Sequence, residues 1–266
     1  MDLEQYFELK NKTKKGLVAL KVIETKEKQE MNEGLLELTN LSRLKNNENV
    51  LPYEKFFLNT VLWNNESILY QIFIEMELGD SNLAQLLLTM MDQKLSTRLY
   101  IDYFKQICNG ILFSHGRQCA HLDLKPENVI LFGNKCKIAD WGGSLQLKSE
   151  KSTKICSHNL AVSVGFVAPE IEDERYGSQE KFNYYACDIY SLGILGFKLL
   201  GITRKEVNTI PRNKKLYHDE TINEFVGKLK SEHPVVILEL LRAMSSFEVG
   251  SRPNIQKVCE IVSSFN

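Results

Sequence analysis

Apolar and polar positions along the chain change period near residue 78. The run Gly16-Leu17-Val18-Ala19-Leu20-Lys21-Val22-Ile23 is β-prone and bounded by polar residues, which predicts a strand. Side chains alternate in a strand, so Ala19 and Lys21 share one face while Val18, Leu20 and Val22 take the other. From Lys26 to Lys45 the spacing lengthens, with Met31, Leu35, Leu38, Leu41 and Leu44 recurring every three or four residues, which predicts a helix. Tyr53 to Thr60 and Ile68 to Met76 predict two more strands, with Asn64-Asn65 as the turn signal between them.

Beyond Leu78-Gly79-Asp80 the helical period dominates. Tyr100, Phe104, Ile107 and Ile111 mark a helix over Leu99 to His115, with Gly116 as its expected C-terminal cap. Asp188 to Leu200, Val235 to Met244 and Ile255 to Val262 repeat the pattern. The pattern predicts an α+β molecule with a small sheet-rich lobe (residues 1–78, including the connecting segment) and a larger helical lobe (residues 79–266). The cleft between lobes is the default ligand site.

Composition narrows the function classes. At 266 residues, 43% hydrophobic and 25% charged, the chain can bury a substantial core. Its 33 Lys plus Arg against 34 Asp plus Glu give a net charge of −1, too little field for a non-specific nucleic-acid binder. The six cysteines show no metal-ligand spacing and read as reduced thiols. Asp2, Glu4 and Glu8 stand where a signal peptide needs basic and then apolar residues. The most apolar window, Ile189 to Ile202, is shorter than the roughly 20 residues of a membrane-spanning helix. The expected compartment is cytoplasmic, with the nucleus left open, and neither membrane nor nucleic acid is an expected partner.

The densest chemistry lies in His121-Leu122-Asp123-Leu124-Lys125-Pro126-Glu127-Asn128-Val129-Ile130-Leu131, followed by Lys137-Ile138-Ala139-Asp140-Trp141-Gly142. Ala168-Pro169-Glu170, Asp188-Ile189-Tyr190-Ser191-Leu192-Gly193 and Arg252-Pro253 follow in that order. Together these segments resemble the eukaryotic-type protein kinase superfamily over nearly the whole chain, and the resemblance implies a two-lobed kinase-like fold. In phosphoryl transfer the protein mainly positions groups and neutralises charge. By resemblance, Asp123 would accept the proton of a substrate hydroxyl, and Lys125 would stabilise charge on the moving phosphoryl group. Asn128 and Asp140 are hard oxygen donors, and would hold Mg²⁺.

Val18-Ala19-Leu20-Lys21 is similar to the family's third-strand lysine motif, with Ala19 over the adenine of ATP and Lys21 reaching its phosphates. Two acids on the expected helix could pair with Lys21. From Glu37, positions four and seven residues on are Leu41 and Leu44, which face the core, whereas from Glu33 they are Glu37 and Asn40, so Glu37 is the expected partner. Ile74 to Asp80 resembles the interlobe connection, with backbone groups of Glu75 and Glu77 on the adenine edge, Ile74 behind them and Ile130 as the pocket floor. Asp188 is expected to cap its helix and tether the catalytic loop, and Arg252 to pair with Glu170.

Three departures qualify the resemblance. No G-x-G-x-x-G precedes Ala19, and Tyr6 to Lys21 fit only the family's second and third strands. The first strand and phosphate-covering loop are thus missing from this sequence, either by truncation upstream of Met1 or by genuine loss. Leu122 replaces the Arg that commonly pairs with an activation-segment phosphate, although Ser149, Ser152, Thr153 and Ser157 remain as hydroxyls in that segment. Trp141 stands where Phe is usual. Lys125 and Ser163 point to serine/threonine rather than tyrosine transfer, with ATP, Mg²⁺ and a protein hydroxyl as reactants and a regulatory protein partner compatible. The alternative is a pseudokinase that scaffolds another enzyme.

Overall fold

The structure, a computed structural model, describes residues 3–11, 16–63, 67–89, 96–147, 153–154, 163–174 and 182–265. The Asn64-Asn65 turn and the hydroxyls of Ser149, Ser152 and Ser157 lie outside the described residues. The N-terminal lobe is an antiparallel sheet of β1 (Leu3–Asn11), β2 (Gly16–Thr25), β3 (Tyr53–Trp63) and β4 (Ser67–Glu77) in the order β1-β2-β4-β3. One helix, α1 (Lys28–Arg43), crosses it. The sheet buries Ile23, Ile72, Ile74 and Met76 against Leu38 and Leu51, with Met31 and Leu35 of α1 packed alongside. Period-2 strands and a period-3.6 helix thus meet on their apolar sides, as the sequence pattern requires.

The C-terminal lobe begins with the two-residue strand β5 (Ser81–Asn82), α2 (Leu83–Thr89) and the long α3 (Thr97–Gly116). Next come β6 (Cys119–Ala120) and the hairpin β7 (Val129–Phe132) with β8 (Lys135–Ile138). The remaining helices are α4 (Pro169–Glu174), α5 (Tyr184–Leu199), α6 (Arg204–Val207), α7 (Lys215–Leu229), α8 (Val235–Met244) and α9 (Ile255–Ser263). Helix α5 is apolar all round and runs through the lobe's core, which α3 and α8 pack against. Among the described residues no helix is long and apolar enough to cross a membrane.

Two expected helix ends are corrected. Gly116 is the last residue of α3 rather than its cap: Arg117 caps it, its N–H reaching the Phe113 and Ser114 carbonyls, and Gln118 takes the left-handed turn at φ 61°. Asp188 does not cap α5, because the helix starts four residues earlier; Asn183 is the cap and accepts from the Ala186 N–H. Asp188 is thereby freed for a different task.

Candidate active site

The catalytic loop is built on Asp188. This fully buried carboxylate accepts from the backbone N–H groups of His121 (2.8 Å) and Leu122 (2.7 Å) and lies 2.8 Å from His115 Nε2. Leu122 sits at φ 68°, a conformation costly for a branched residue. The two charge-assisted bonds to Asp188 hold it there and fix where the next residue, Asp123, projects. A turn of 3₁₀ helix at Pro126–Asn128 then brings the chain into β7.

Around Asp123 the side chains converge. Its carboxylate accepts from Lys125 Nζ (2.6 Å), Asn128 Nδ2 (3.1 Å) and Ser163 Oγ (2.8 Å), and Lys125 Nζ also reaches Ser163 Oγ (2.7 Å). Asn128 Nδ2 bonds the Asp123 carbonyl as well, at 2.9 Å. Both amide hydrogens of Asn128 are therefore directed at Asp123, which turns its carbonyl oxygen the other way.

Across the cleft, Lys21 Nζ lies 3.0 and 3.1 Å from the two carboxylate oxygens of Glu37 and 3.0 Å from Asp140 Oδ1. The contact favoured over Glu33 by helix periodicity is formed, joining β2 to α1. Asp140, at φ 61°, is another left-handed non-glycine residue. Burial alone would push its carboxyl up, but the Lys21 ammonium outweighs that by charge and hydrogen bond and, with smaller help from His121 and Lys125, holds it below the usual aspartate value. Gly142 follows closely: a Cβ there would come within 3.3 Å of Glu37 Oε2. Trp141, fully buried, anchors this turn through Nε1 to the Ile138 carbonyl (3.2 Å) and packs on the His121 ring, centroids 4.5 Å apart. Asn40 of α1 bonds Ser144 Oγ at 2.9 Å, tying the helix that carries Glu37 to the segment that carries Asp140.

The oxygen donors left over suit a small hard cation. Asp140 Oδ2 and Asn128 Oδ1 have no hydrogen-bond partner among the described residues, while Lys21 and Asp123 use the opposite atoms of the same groups. No group of three or more His, Cys, Asp or Glu side chains among the described residues forms a complete metal cage. One carboxylate and one amide oxygen fit Mg²⁺, which keeps waters and takes further ligands from phosphate.

The pairing register places the residues expected on the nucleotide edge at the end of β4. Ala19 pairs with Met76, and Lys21 with Ile74, so Met76 rather than Ile74 lies opposite the alanine. Glu75 lies opposite Leu20 on one side and Lys55 on the other. Glu77, opposite Val18, ends β4, and its carboxylate pairs with Lys137. Ile130 is half-buried beneath this turn, against Gly79, where a Cβ would stand 2.8 Å from the Leu131 carbonyl. Ser163, in sequence only a marker of hydroxyl preference, sits between Asp123 and Lys125.

The large lobe holds a second buried ion pair. Arg252 donates to both oxygens of Glu170 (2.6 and 2.8 Å) and to the carbonyls of Ser246, Ala186 and Phe247.

Comparison with known proteins matches residues 5–262 to the family described as protein kinase domain. The chain is 26% identical over 231 residues to a Wee1-like protein kinase of Arabidopsis thaliana, covering 87% of this chain and 41% of that protein. It is 29% identical over 154 residues to Aurora kinase A-A of Xenopus laevis, covering 57% and 33%. It is 32% identical over 116 residues to the proto-oncogene serine/threonine-protein kinase mos of Mus musculus, covering 43% and 31%. The matches thus span between 31% and 41% of these relatives' own lengths.

Proposed function

The chain belongs to the protein kinase domain family, and from that premise we propose that it is a serine/threonine protein kinase, transferring the γ-phosphoryl group of ATP to a protein hydroxyl. The observation that carries this reading is the pair of polar clusters bounding one cleft: Asp123 with Lys125, Asn128 and Ser163, and Lys21 with Glu37 and Asp140. The family generally uses ATP and Mg²⁺.

In this reading Asp123 is the base. Its carboxylate, oriented by three donors, accepts the proton of the substrate hydroxyl and aims that oxygen at the phosphorus. Lys125 neutralises charge on the phosphoryl group in flight, and Ser163 keeps the lysine beside the carboxylate rather than in water. Lys21, fixed by Glu37, binds the α- and β-phosphates, and Ala19 covers the adenine. Asn128 and Asp140 would hold Mg²⁺, which when bound would screen the phosphate charge. Backbone groups of Glu75 and Glu77, at the end of β4, present the adenine edge, with Ile74 behind them and Ile130 below. The bidentate Arg252–Glu170 pair holds the segment after Ser163 on the helical lobe.

The test is transfer of labelled phosphate from ATP with Mg²⁺ to generic protein substrates by this chain and by Asp123→Asn. The expected loss is about 100- to 10,000-fold, the usual worth of a positioned base. Phosphoamino-acid analysis is expected to return phosphoserine and phosphothreonine. Equal transfer by both proteins would remove Asp123 from the mechanism, and silence from both would favour a scaffold.

A further inference from the structure

The least protected part of the molecule lies away from the cleft. Strand β3 runs for eleven residues along the edge of the four-stranded sheet and pairs only with β4 among the described residues. Six large apolar side chains on it stand in solvent: Phe56 (43% exposed), Phe57 (55%), Leu58 (54%), Val61 (40%), Leu62 (69%) and Trp63 (42%). Sheet edges are normally blunted by charge, proline, a bulge or shortness. From Phe56 to Trp63 there is no charge and no proline, and the one register irregularity falls earlier, between Tyr53 and Lys55.

We propose that β3 is a self-association surface, on which a second copy of this chain pairs its own β3 antiparallel across a two-fold axis at Thr60. Three observations favour a second copy over a different partner. First, Phe56, Leu58 and Leu62 line one face of the strand and Phe57, Val61 and Trp63 the other, so pairing two copies edge to edge brings apolar flanks together across the junction on both faces. Second, the strand complements itself. With Thr60 opposite its own copy, Leu58 meets Leu62 and Phe57 meets Trp63, while Glu54 and Lys55 fall outside the paired stretch. Apolar, aromatic and Thr–Thr pairs are the favourable cross-strand combinations. Third, the stretch carries no charge that would call for a complementary charged partner, and the two-fold arrangement closes on itself without leaving a new edge. The alternative axis at Asn59 would oppose two amides already engaged, since Asn59 Nδ2 donates to Gln71 Oε1 at 2.8 Å.

Sedimentation of the full chain over about 1 to 100 µM tests the surface. The parent chain is expected to shift from monomer to dimer, and a Phe57→Lys, Leu62→Lys double variant to stay monomeric throughout. Both side chains are more than half exposed, so the variant's circular dichroism should match the parent's. Mild oxidation reads the register. Thr60→Cys is expected to give a covalent dimer beyond the parent's background, because its copy lies directly opposite, whereas Leu62→Cys, opposite Leu58, is not. A parent that stays monomeric would overturn the proposal and mean that the strand serves another partner. So would a dimer indifferent to the two lysines, or crosslinking at position 62 equal to that at position 60.

Discussion

Lys21 in the small lobe and Arg252 in the large lobe both withdraw their side chains from water, to 1% and 0% exposure, and they spend their charge differently. Arg252 meets one carboxylate bidentately and three backbone carbonyls, all within one lobe. Lys21 is shared between two carboxylates from different parts of the chain, and one of them, Asp140, remains 28% exposed with an oxygen to spare. The first arrangement is finished by the fold itself. The second is open toward the cleft, which is what a site that receives phosphate and a cation requires. Burial of charge thus marks structure in one lobe and chemistry in the other, and what separates them is whether every polar atom is already answered within the fold.

The largest expected effect breaks the structural side. Arg252→Ala strands the Glu170 carboxylate and should cost about 3–5 kcal/mol in denaturant unfolding, because a buried partner is left uncompensated. Any transfer activity that survives should show an unchanged KM for ATP, since Arg252 touches nothing in the cleft. Lys21→Met breaks the chemical side: transfer should fall about 100-fold or more, through lost phosphate binding and a displaced Asp140.

Acid titration sharpens the same contrast. The Asp140 carboxyl is held below its ordinary value of 3.8, so it contributes stability that is present above that value and lost as the pH falls through its lower, folded-state value. In Lys21→Met burial of Asp140 is opposed only by the smaller effects of His121 and Lys125, so acid unfolding of the variant should begin at higher pH than that of the parent once their neutral-pH stabilities are matched. The smallest effect lies far from both pairs. Thr203 and Glu206 form a capping box at α6, and although burial pushes the Glu206 carboxyl up, hydrogen bonds from Lys228 and Thr203 bring it down to about 2. Thr203→Ala should cost about 1 kcal/mol in thermal unfolding at neutral pH. That cost should shrink as the pH falls from the ordinary glutamate range toward 2, where Glu206 becomes protonated.

Much of this was legible before any coordinates, for physical reasons that differ by residue. Glu37 could be chosen over Glu33 because a helix repeats at three and four residues, so Leu41 and Leu44 report which face is buried. The lobes could be separated because strand and helix periods differ. Other features depend on information that periodicity does not carry. Whether Ile74 or Met76 faces Ala19 is a question of pairing register between β2 and β4, and two residues on the same strand face satisfy the same alternation. Asp188 reads as a helix cap in sequence because Asn183, the actual cap five residues earlier, precedes a first turn as apolar as the helix's middle. The left-handed turn at Leu122 follows from tertiary bonds rather than local preference, since leucine disfavours positive φ, whereas aspartate, as at Asp140, visits that region more readily. The apolar run in β3 reads as a strand in sequence, and its place on the sheet edge, exposed among the described residues, depends on strand order rather than on alternation.

The most direct test of the contrast is calorimetric titration of ATP, with and without Mg²⁺, into the parent chain and into Asp140→Asn. The account predicts that Mg²⁺ strengthens ATP binding to the parent by about tenfold or more and that this gain disappears in the variant. An Asp140→Asn protein that keeps the full Mg²⁺ gain would contradict it, because the open carboxylate beside Lys21 would then not be the group that meets the cation.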